Sequence, residues 1–322
     1  MDLARVSVVI PAHNASATID ETILSVRAQT LSDIEIVVVD DGSNDATADI
    51  IRKHAELDGR LRLISTKNGG VARARNVGIA AARTDLIAPI DADDLWHPRK
   101  LELQFAALNK APEGTALVYC WFVIIDELGR IIGYGSRDKS RGDVLRRMCL
   151  RNLVGNGSGP LMRKAAVLEA GGYDPGLRDQ NAQGCEDLKL YFAIAERHRF
   201  ELVPCDLLGY RATMASMSSD GARMLRSYDL VMQPARHRHT DFRTEFREGR
   251  IHLVRWLLER AINYGTANQA RQMWLELYRQ SPCAALSILP KGGALLRRRY
   301  FSPPPRLHFE DLSGCASGLD PL

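Results

Sequence analysis

The chain has 322 residues, of which 45% are hydrophobic and 25% charged, with a formal net charge of +4. These values suit one large globular domain with an appendage, and the charge is too mild to imply nucleic acid as a partner. No apolar run approaches the roughly 20 residues of a membrane span, and the opening Met1-Asp2-Leu3-Ala4-Arg5 is too short an apolar run for a secretory leader.

The elements follow a repeating plan. A strand over residues 6–10 ends in Pro11-Ala12-His13-Asn14, before a helix over about 17–29. A buried-strand run over 34–39 is followed at once by Asp40-Asp41-Gly42-Ser43-Asn44-Asp45, turn and cap residues for a helix over about 45–57. A strand over 61–64 leads to Asn68-Gly69-Gly70 and a helix over about 71–83 that carries Arg73, Arg75 and Asn76. The apolar run over 86–90 runs into Asp91-Ala92-Asp93-Asp94-Leu95-Trp96, with a helix over about 98–109 behind it. The segment 116–125 is the most apolar of the chain and rich in β-branched and aromatic residues, which predicts a central strand. It turns through Asp126-Glu127-Leu128-Gly129-Arg130 into Ile131-Ile132-Gly133-Tyr134, and a helix follows over about 141–151. Another helix opens at Glu186, with Leu188, Leu190, Tyr191, Ile194 and Ala195 on its apolar side. Beyond about 221 the pattern is helical and basic, for instance over 251–264 and 267–279, and 302–322 reads as a frayed tail. There is no internal repeat.

Every polar cluster thus follows a short apolar strand and precedes an amphipathic helix. In a doubly wound sheet such loops gather at the carboxyl edge, where ligands bind, so the pattern predicts one site built from separate loops. The acid cluster is the sharpest signal. Three carboxylates within four positions, Asp91, Asp93 and Asp94, repel one another unless a divalent cation sits among them. Mg²⁺ binds through one or two carboxylates plus substrate phosphates. An acidic turn that caps the next helix is the alternative. Glu186-Asp187, behind the Gly-containing loop 179–184, offers carboxylates for general-base work, or acids that favour a helix N-terminus through its dipole.

Pro11-Ala12-His13-Asn14, Val39-Asp40-Asp41-Gly42-Ser43, the run from Gly70 to Gly78 through Arg73, Arg75 and Asn76, and Asp91-Ala92-Asp93-Asp94 resemble family 2 glycosyltransferases in order and spacing. The likeness continues through Gly171-Gly172-Tyr173-Asp174, Glu186-Asp187-Leu188 and Tyr210-Arg211, and covers roughly residues 5–220. It implies a GT-A fold, that is, a Rossmann-like, mostly parallel central sheet flanked by helices. Residues 1–220 would form the catalytic domain, with a nucleotide-sugar half to about 125 and an acceptor half from about 126. Residues 221–301 would form a helical extension and 302–322 a tail.

The resemblance also implies an inverting transfer of sugar from a nucleotide-diphosphate sugar, with UDP the favoured nucleotide, to a saccharide or lipid-linked acceptor. Pro11, Ala12, His13 and Asn14 would frame the base and ribose, and Asp41 would accept from the nucleobase. Arg75 would serve as donor-side cation, Asp91 would take the ribose or metal, and Arg211 would neutralise phosphate. Asp93 would be the chief ligand of Mn²⁺ or Mg²⁺, with Asp94 a further ligand or a cap. Asp187 would be the base, with Glu186 orienting it or the acceptor. The segment Asn156-Gly157-Ser158-Gly159-Pro160, with Gly171-Gly172-Tyr173, falls on the acceptor side. The chain departs from the family in two places: His13 stands where an aromatic Tyr is frequent, and Thr213 where many members carry a His.

Other chemistries fit less well. No GxGxxG turn follows the first strand and no GxxxxGK[ST] occurs. A nucleotidyltransferase would want a basic Gly-rich loop there; a sugar-nucleotide-binding scaffold is the non-enzymatic alternative. His237 and His239 flank Arg238 in a cationic setting hostile to metal and read as surface residues. Cys120, Cys149, Cys185, Cys205, Cys283 and Cys315 lack any CxxC pair, which predicts reduced thiols of a cytoplasmic protein. Lys291 and Arg297-Arg298-Arg299, between apolar 284–290 and Tyr300-Phe301, suit peripheral contact with an anionic membrane.

Overall fold

The computed structural model describes residues 4–212, 220–288 and 307–312. The strands are β1 (Val6–Ala12), β2 (Ile34–Asp40), β3 (Leu61–Ser65), β4 (Leu86–Pro89), β5 (Leu95–Trp96), β6 (Thr115–Ile125), β7 (Ile131–Tyr134), β8 (Leu161–Arg163) and β9 (Arg199–Arg211). They form one mixed sheet in the order β3-β2-β1-β4-β8-β6-β9-β5, with β7 paired to β6. β1 runs parallel to β2 and β4, β2 to β3, and β6 to β9. The short β8 is antiparallel to both β4 and β6 and joins the two parallel sets. Two antiparallel steps restore direction, so β6 and β9 point the same way as β1 and β4. All of these strands therefore deliver their carboxyl ends to one edge.

The helices are α1 (Ile19–Arg27), α2 (Thr47–Leu57), α3 (Val71–Ala81), α4 (Lys100–Lys110), α5 (Leu145–Leu150), α6 (Lys164–Glu169), α7 (Gly176–Asp179), α8 (Glu186–Ala195), α9 (Gly221–Arg238), α10 (Arg243–Tyr264), α11 (Ala267–Gln280) and α12 (Pro282–Leu286). The sheet separates two cores because successive strand side chains point to opposite faces. Val8, Ile10, Val118 and Leu161 meet Ile19, Ile23, Ile51 and Leu101 on one face. Val9, Leu117, Tyr119 and Met162 meet Ile79, Met148, Leu190, Tyr191, Met232 and Phe246 on the other. Each such side chain, fully buried, contributes roughly 1.5–3 kcal/mol of transfer free energy. α9 and α10 enter this second core through Tyr228, Met232 and Phe246, while Val254, Leu257, Met273 and Leu277 build a satellite core among the last helices.

The elements expected from periodicity stand close to their expected bounds, and residues 116–125 form an interior strand. β5, β8, β9, α6, α7 and α12 had no distinct signal, while α9 falls in the stretch beyond about 221 that was expected to be helical. Cys120, Cys149 and Cys185 are buried free thiols and Cys283 an exposed one. Cys205, however, is disulfide-bonded, which corrects the expectation of reduced cysteines throughout: the lack of a CxxC pair in the sequence does not exclude a disulfide. Among the described residues no helix is long and apolar enough to cross a membrane. Thr213, the basic run 297–299 and most of the tail lie outside the described residues; within the tail, residues 307–312 are described, and Phe309 packs there against Leu95, Val123, Ile125 and Ile131.

Candidate active site at the carboxyl edge of the sheet

The loops after β1, β2 and β3 interlock. Pro11 and Ala12 are buried at the end of β1, and His13 and Asn14 emerge exposed. The Asn14 N–H donates to Ser43 Oγ (3.0 Å), and Asn14 Oδ1 accepts from the Asn44 N–H (2.9 Å). Asp41 is 3% exposed. Its carboxylate accepts from the Gly69 N–H (2.9 Å), the Gly70 N–H (2.7 Å) and Thr66 Oγ1 (3.2 Å). Gly70 adopts φ +88°, which favours glycine, and turns the chain into α3. Asn68 Nδ2 donates to the Asp41 carbonyl (3.1 Å) and lies 3.2 Å from the His13 ring nitrogens.

At the centre, Arg75 of α3 pairs with Asp91 after β4. The guanidinium is 3% exposed and lies 4.9 Å from the Tyr173 ring centroid. Burial opposes its charge, but Asp91 outweighs that and holds Arg75 protonated. Asn76 fastens α3 to the same segment, donating to the Tyr173 carbonyl (2.7 Å) and accepting from its N–H (2.9 Å). Gly157 covers the ion pair: a Cβ there would lie 2.9 Å from Asp91 Oδ2 and would collide with the Arg75 guanidinium.

The acid turn divides its three carboxylates among different tasks. Asp94 is fully buried; its carboxylate accepts from the Ser158 hydroxyl (2.5 Å) and from the Arg211 N–H (2.8 Å). Burial and the neighbouring Asp93 push its pKa well up. Asp94 braces the turn from below, and the helix-cap alternative falls away because α4 begins only at Lys100, with Arg99 at its N-cap. Ser158 Oγ also accepts from the Asp91 N–H (2.9 Å), so the segment expected on the acceptor side is built into the acid turn. Asp93 is partly exposed, and no side chain among the described residues hydrogen-bonds to its carboxylate. Burial and Asp91 raise its pKa to about 6.

The resemblance puts Arg211 on the diphosphate; the structure spends its guanidinium elsewhere. Nε donates to the Asp93 carbonyl (2.7 Å), Nη1 to the carbonyls of Asp126 (3.1 Å) and Glu127 (2.6 Å), and Nη2 to the Glu21 carboxylate (2.7 Å). The side chain is 1% exposed. A planar fork with four of its five N–H groups so bonded clamps the acid turn.

Across the cleft, Asp187 opens α8. Asn152 Nδ2 donates to its Oδ2 (3.3 Å) and the Leu188 N–H to its Oδ1 (2.7 Å). Burial raises its pKa to about 6, with Glu186 and Asp91 adding to the rise and Arg75 opposing it. Glu186 is 4% exposed and folds back on its loop, accepting from the Gly184 N–H (2.8 Å). Tyr191 donates to the Asn156 carbonyl (3.1 Å). Asn152 and Tyr191 carried no chemical motif, and only the fold brings them here; Tyr173 lies in the Gly171-Gly172-Tyr173-Asp174 stretch that the resemblance marked. His239 lies 2.7 Å from Glu196 Oε1, remote from this cleft in the fold.

A cation fits this donor set in one way. Among the described residues no three His, Cys, Asp or Glu side chains converge as a ligand cluster. Asp93, with no cation donating to it and Asp91 beside it, presents charge that phosphate-bound Mg²⁺ or Mn²⁺ would offset.

Residues 7–169 match the family model described as glycosyl transferase family 2. The chain belongs to glycosyl transferase family 2. A putative glycosyltransferase of Bacillus subtilis, EpsH, is 39% identical over 120 residues, covering 37% of this chain and 34% of that protein. The uncharacterized glycosyltransferase EpsJ of the same organism is 46% identical over 89 residues, covering 28% and 26%. The chain thus matches about a third or less of the length of these relatives. Among solved structures, S. aureus TarS 1-349 superposes with a TM-score of 0.61 at 16% identity, covering 92% of this chain and 85% of that one. The mannosyltransferase PcManGT from Pyrobaculum calidifontis, in complex with GDP-Man and Mn2+, superposes at 0.57 with 17% identity, covering 93% and 88%. At these identities the likeness is one of fold, and that fold is GT-A, with a helical C-terminal region.

Proposed function

We propose that this chain is a metal-dependent, inverting glycosyltransferase that moves a sugar from a nucleotide-diphosphate sugar to a saccharide or lipid-linked acceptor, in the building of a cell-surface polysaccharide or glycolipid. The observation that carries the reading is the meeting of the Arg75–Asp91 pair, the Asp93 carboxylate, which has no side-chain partner among the described residues, and Asp187 at one edge of the sheet. Solved neighbours that contain UDP-GlcNAc or GDP-Man with Mn2+ support a nucleotide-sugar donor.

In this reading Pro11, Ala12, His13, Asn14 and Asp41 receive the nucleoside, and Asp91 meets the ribose while Arg75 fixes it. Asp93, with Asp91, holds Mn²⁺ or Mg²⁺, which when bound supplies Lewis-acid stabilisation of the departing diphosphate. Asp187 takes the proton of the acceptor hydroxyl. That oxygen attacks the anomeric carbon from the face opposite the diphosphate, the bond to the phosphate oxygen breaks, and the configuration inverts. A pKa near 6 suits a base at neutral pH. Glu186 shapes the loop that presents Asp187.

A thermal-shift panel of sugar nucleotides with and without Mn²⁺ tests the reading, since a ligand that binds only the native state raises its melting point. No shift with any sugar nucleotide would overturn it. We place the protein in the cytoplasm with salt-sensitive, peripheral attachment to an anionic membrane through the basic run near 291–301. Failure of the full chain to co-sediment with anionic vesicles at low salt would remove that attachment.

A further inference from the structure

Arg178 belongs to α7, on the acceptor side, yet it reaches the donor loops. Its Nη2 donates to Asn68 Oδ1 at 2.6 Å. Its side chain lies along the Gly69-Gly70 turn, where a Cβ on Gly70 would come within 2.9 Å of Arg178 Cδ. The N–H groups of that turn are the ones that hold the Asp41 carboxylate. Asn68 meanwhile ties together the Asp41 carbonyl and the His13 ring. A buried carboxylate floor and an exposed guanidinium rim therefore adjoin, across one turn of chain, in the loops that frame the nucleoside.

The donor and acceptor inventory of this corner is restrictive. An ionised carboxylate only accepts, and three protein donors already approach this one, from Gly69, Gly70 and Thr66, with the Gly69 N–H reaching both oxygens (2.9 and 3.1 Å). The base edge aimed at Asp41 must therefore lead with an N–H. An arginine only donates and carries five N–H groups. Among the described residues its one hydrogen bond is to Asn68. We infer that Arg178 is a specificity-determining residue for the nucleobase: Asp41 accepts the ring N–H and Arg178 donates to the carbonyl beside it. The site then takes a base with a lactam edge, as in uracil and guanine. Cytosine and adenine turn a ring-nitrogen lone pair toward the carboxylate and are disfavoured.

This inference rests on the nucleotide-sugar reading above. Calorimetric titration in Mn²⁺ of the full chain and of Arg178→Ala, with UDP, GDP, CDP, ADP and inorganic pyrophosphate, tests it. Arg178 is exposed and outside both cores, so circular dichroism of the variant should match the parent. The parent is expected to bind UDP or GDP more tightly than CDP and ADP. Arg178→Ala should weaken that binding about tenfold, the scale of one hydrogen bond to a charged group, and leave pyrophosphate unchanged. Arg178→Lys, which keeps the charge without the planar fork, should recover only part of the loss. Equal weakening for pyrophosphate would reduce Arg178 to a general cation and overturn the inference, as would CDP or ADP binding as tightly as UDP and GDP. Unchanged affinity in Arg178→Ala overturns the inference alone; a parent that binds none of the diphosphates overturns the underlying reading as well.

Discussion

Replacing Asp187 by Asn should separate catalysis from stability with opposite signs. The pKa of Asp187 rises from 3.8 to about 6, chiefly through burial. A shift of about two units corresponds to at most ~3 kcal/mol between the ionised and neutral forms. Partial exposure and the bonds from Asn152 and Leu188 reduce that to about 1–2 kcal/mol. Because the folded-state pKa lies above the unfolded one, the protonated carboxyl favours folding at low pH, and this contribution is lost as pH rises through about 6. The Asn side chain cannot ionise, and its Oδ1 can still accept from Asn152. The variant should therefore match the parent near pH 4 and exceed it by about 1–2 kcal/mol near pH 8, with transfer slowed on the order of 10²-fold or more. Urea denaturation of both proteins across that pH range, with the slope checked for constancy, reads the stability term. A variant no more stable than the parent at pH 8, or one equally stabilised at pH 4, would refute the claim that a buried charge is relieved.

The other predictions address the same cleft. kcat/KM of the parent should rise with pH through about 6 and level off above it, since a general base acts ionised; a flat profile from pH 5 to 8 contradicts the role of Asp187. Asp93→Ala should lose Mn²⁺-dependent affinity for UDP in calorimetric titration, because the diphosphate charge stays while a carboxylate goes; unchanged affinity removes Asp93 from the metal. Arg211→Ala should lower stability by about 3 kcal/mol or more, since it strands several acceptors around a buried charge, and Arg211→Lys should not restore it; a rescue by Lys would mean that charge alone matters. Gly157→Ala should displace the Arg75–Asp91 pair and weaken donor binding while costing little in the melting temperature; parental affinity in this variant would place the pair outside the donor site.

The sequence alone determined the repeating frame. Apolar runs over 6–10, 34–39 and 86–90 could only be buried strands, and the polar residues behind each had to fall on loops at one end of a doubly wound sheet. His13, Asp41, Arg75, Asp91 and Asp93 were legible because local chain order and turn chemistry place them. The tertiary structure alone decided what each acid does. Asp93 and Asp94 are neighbours of the same type, and only the hydroxyl of Ser158 and the N–H of Arg211, which arrive from the loop before β8 and from the end of β9, commit Asp94 to bracing the turn. Arg211 was expected on the diphosphate only through the family resemblance; carbonyls from the Asp126 turn, 85 positions away, hold its guanidinium. Asn152 and the reach of Arg178 to Asn68 were invisible in the sequence. Such contacts depend on how the two halves of the sheet close on each other, and periodicity within one segment carries no information about partners a hundred residues distant.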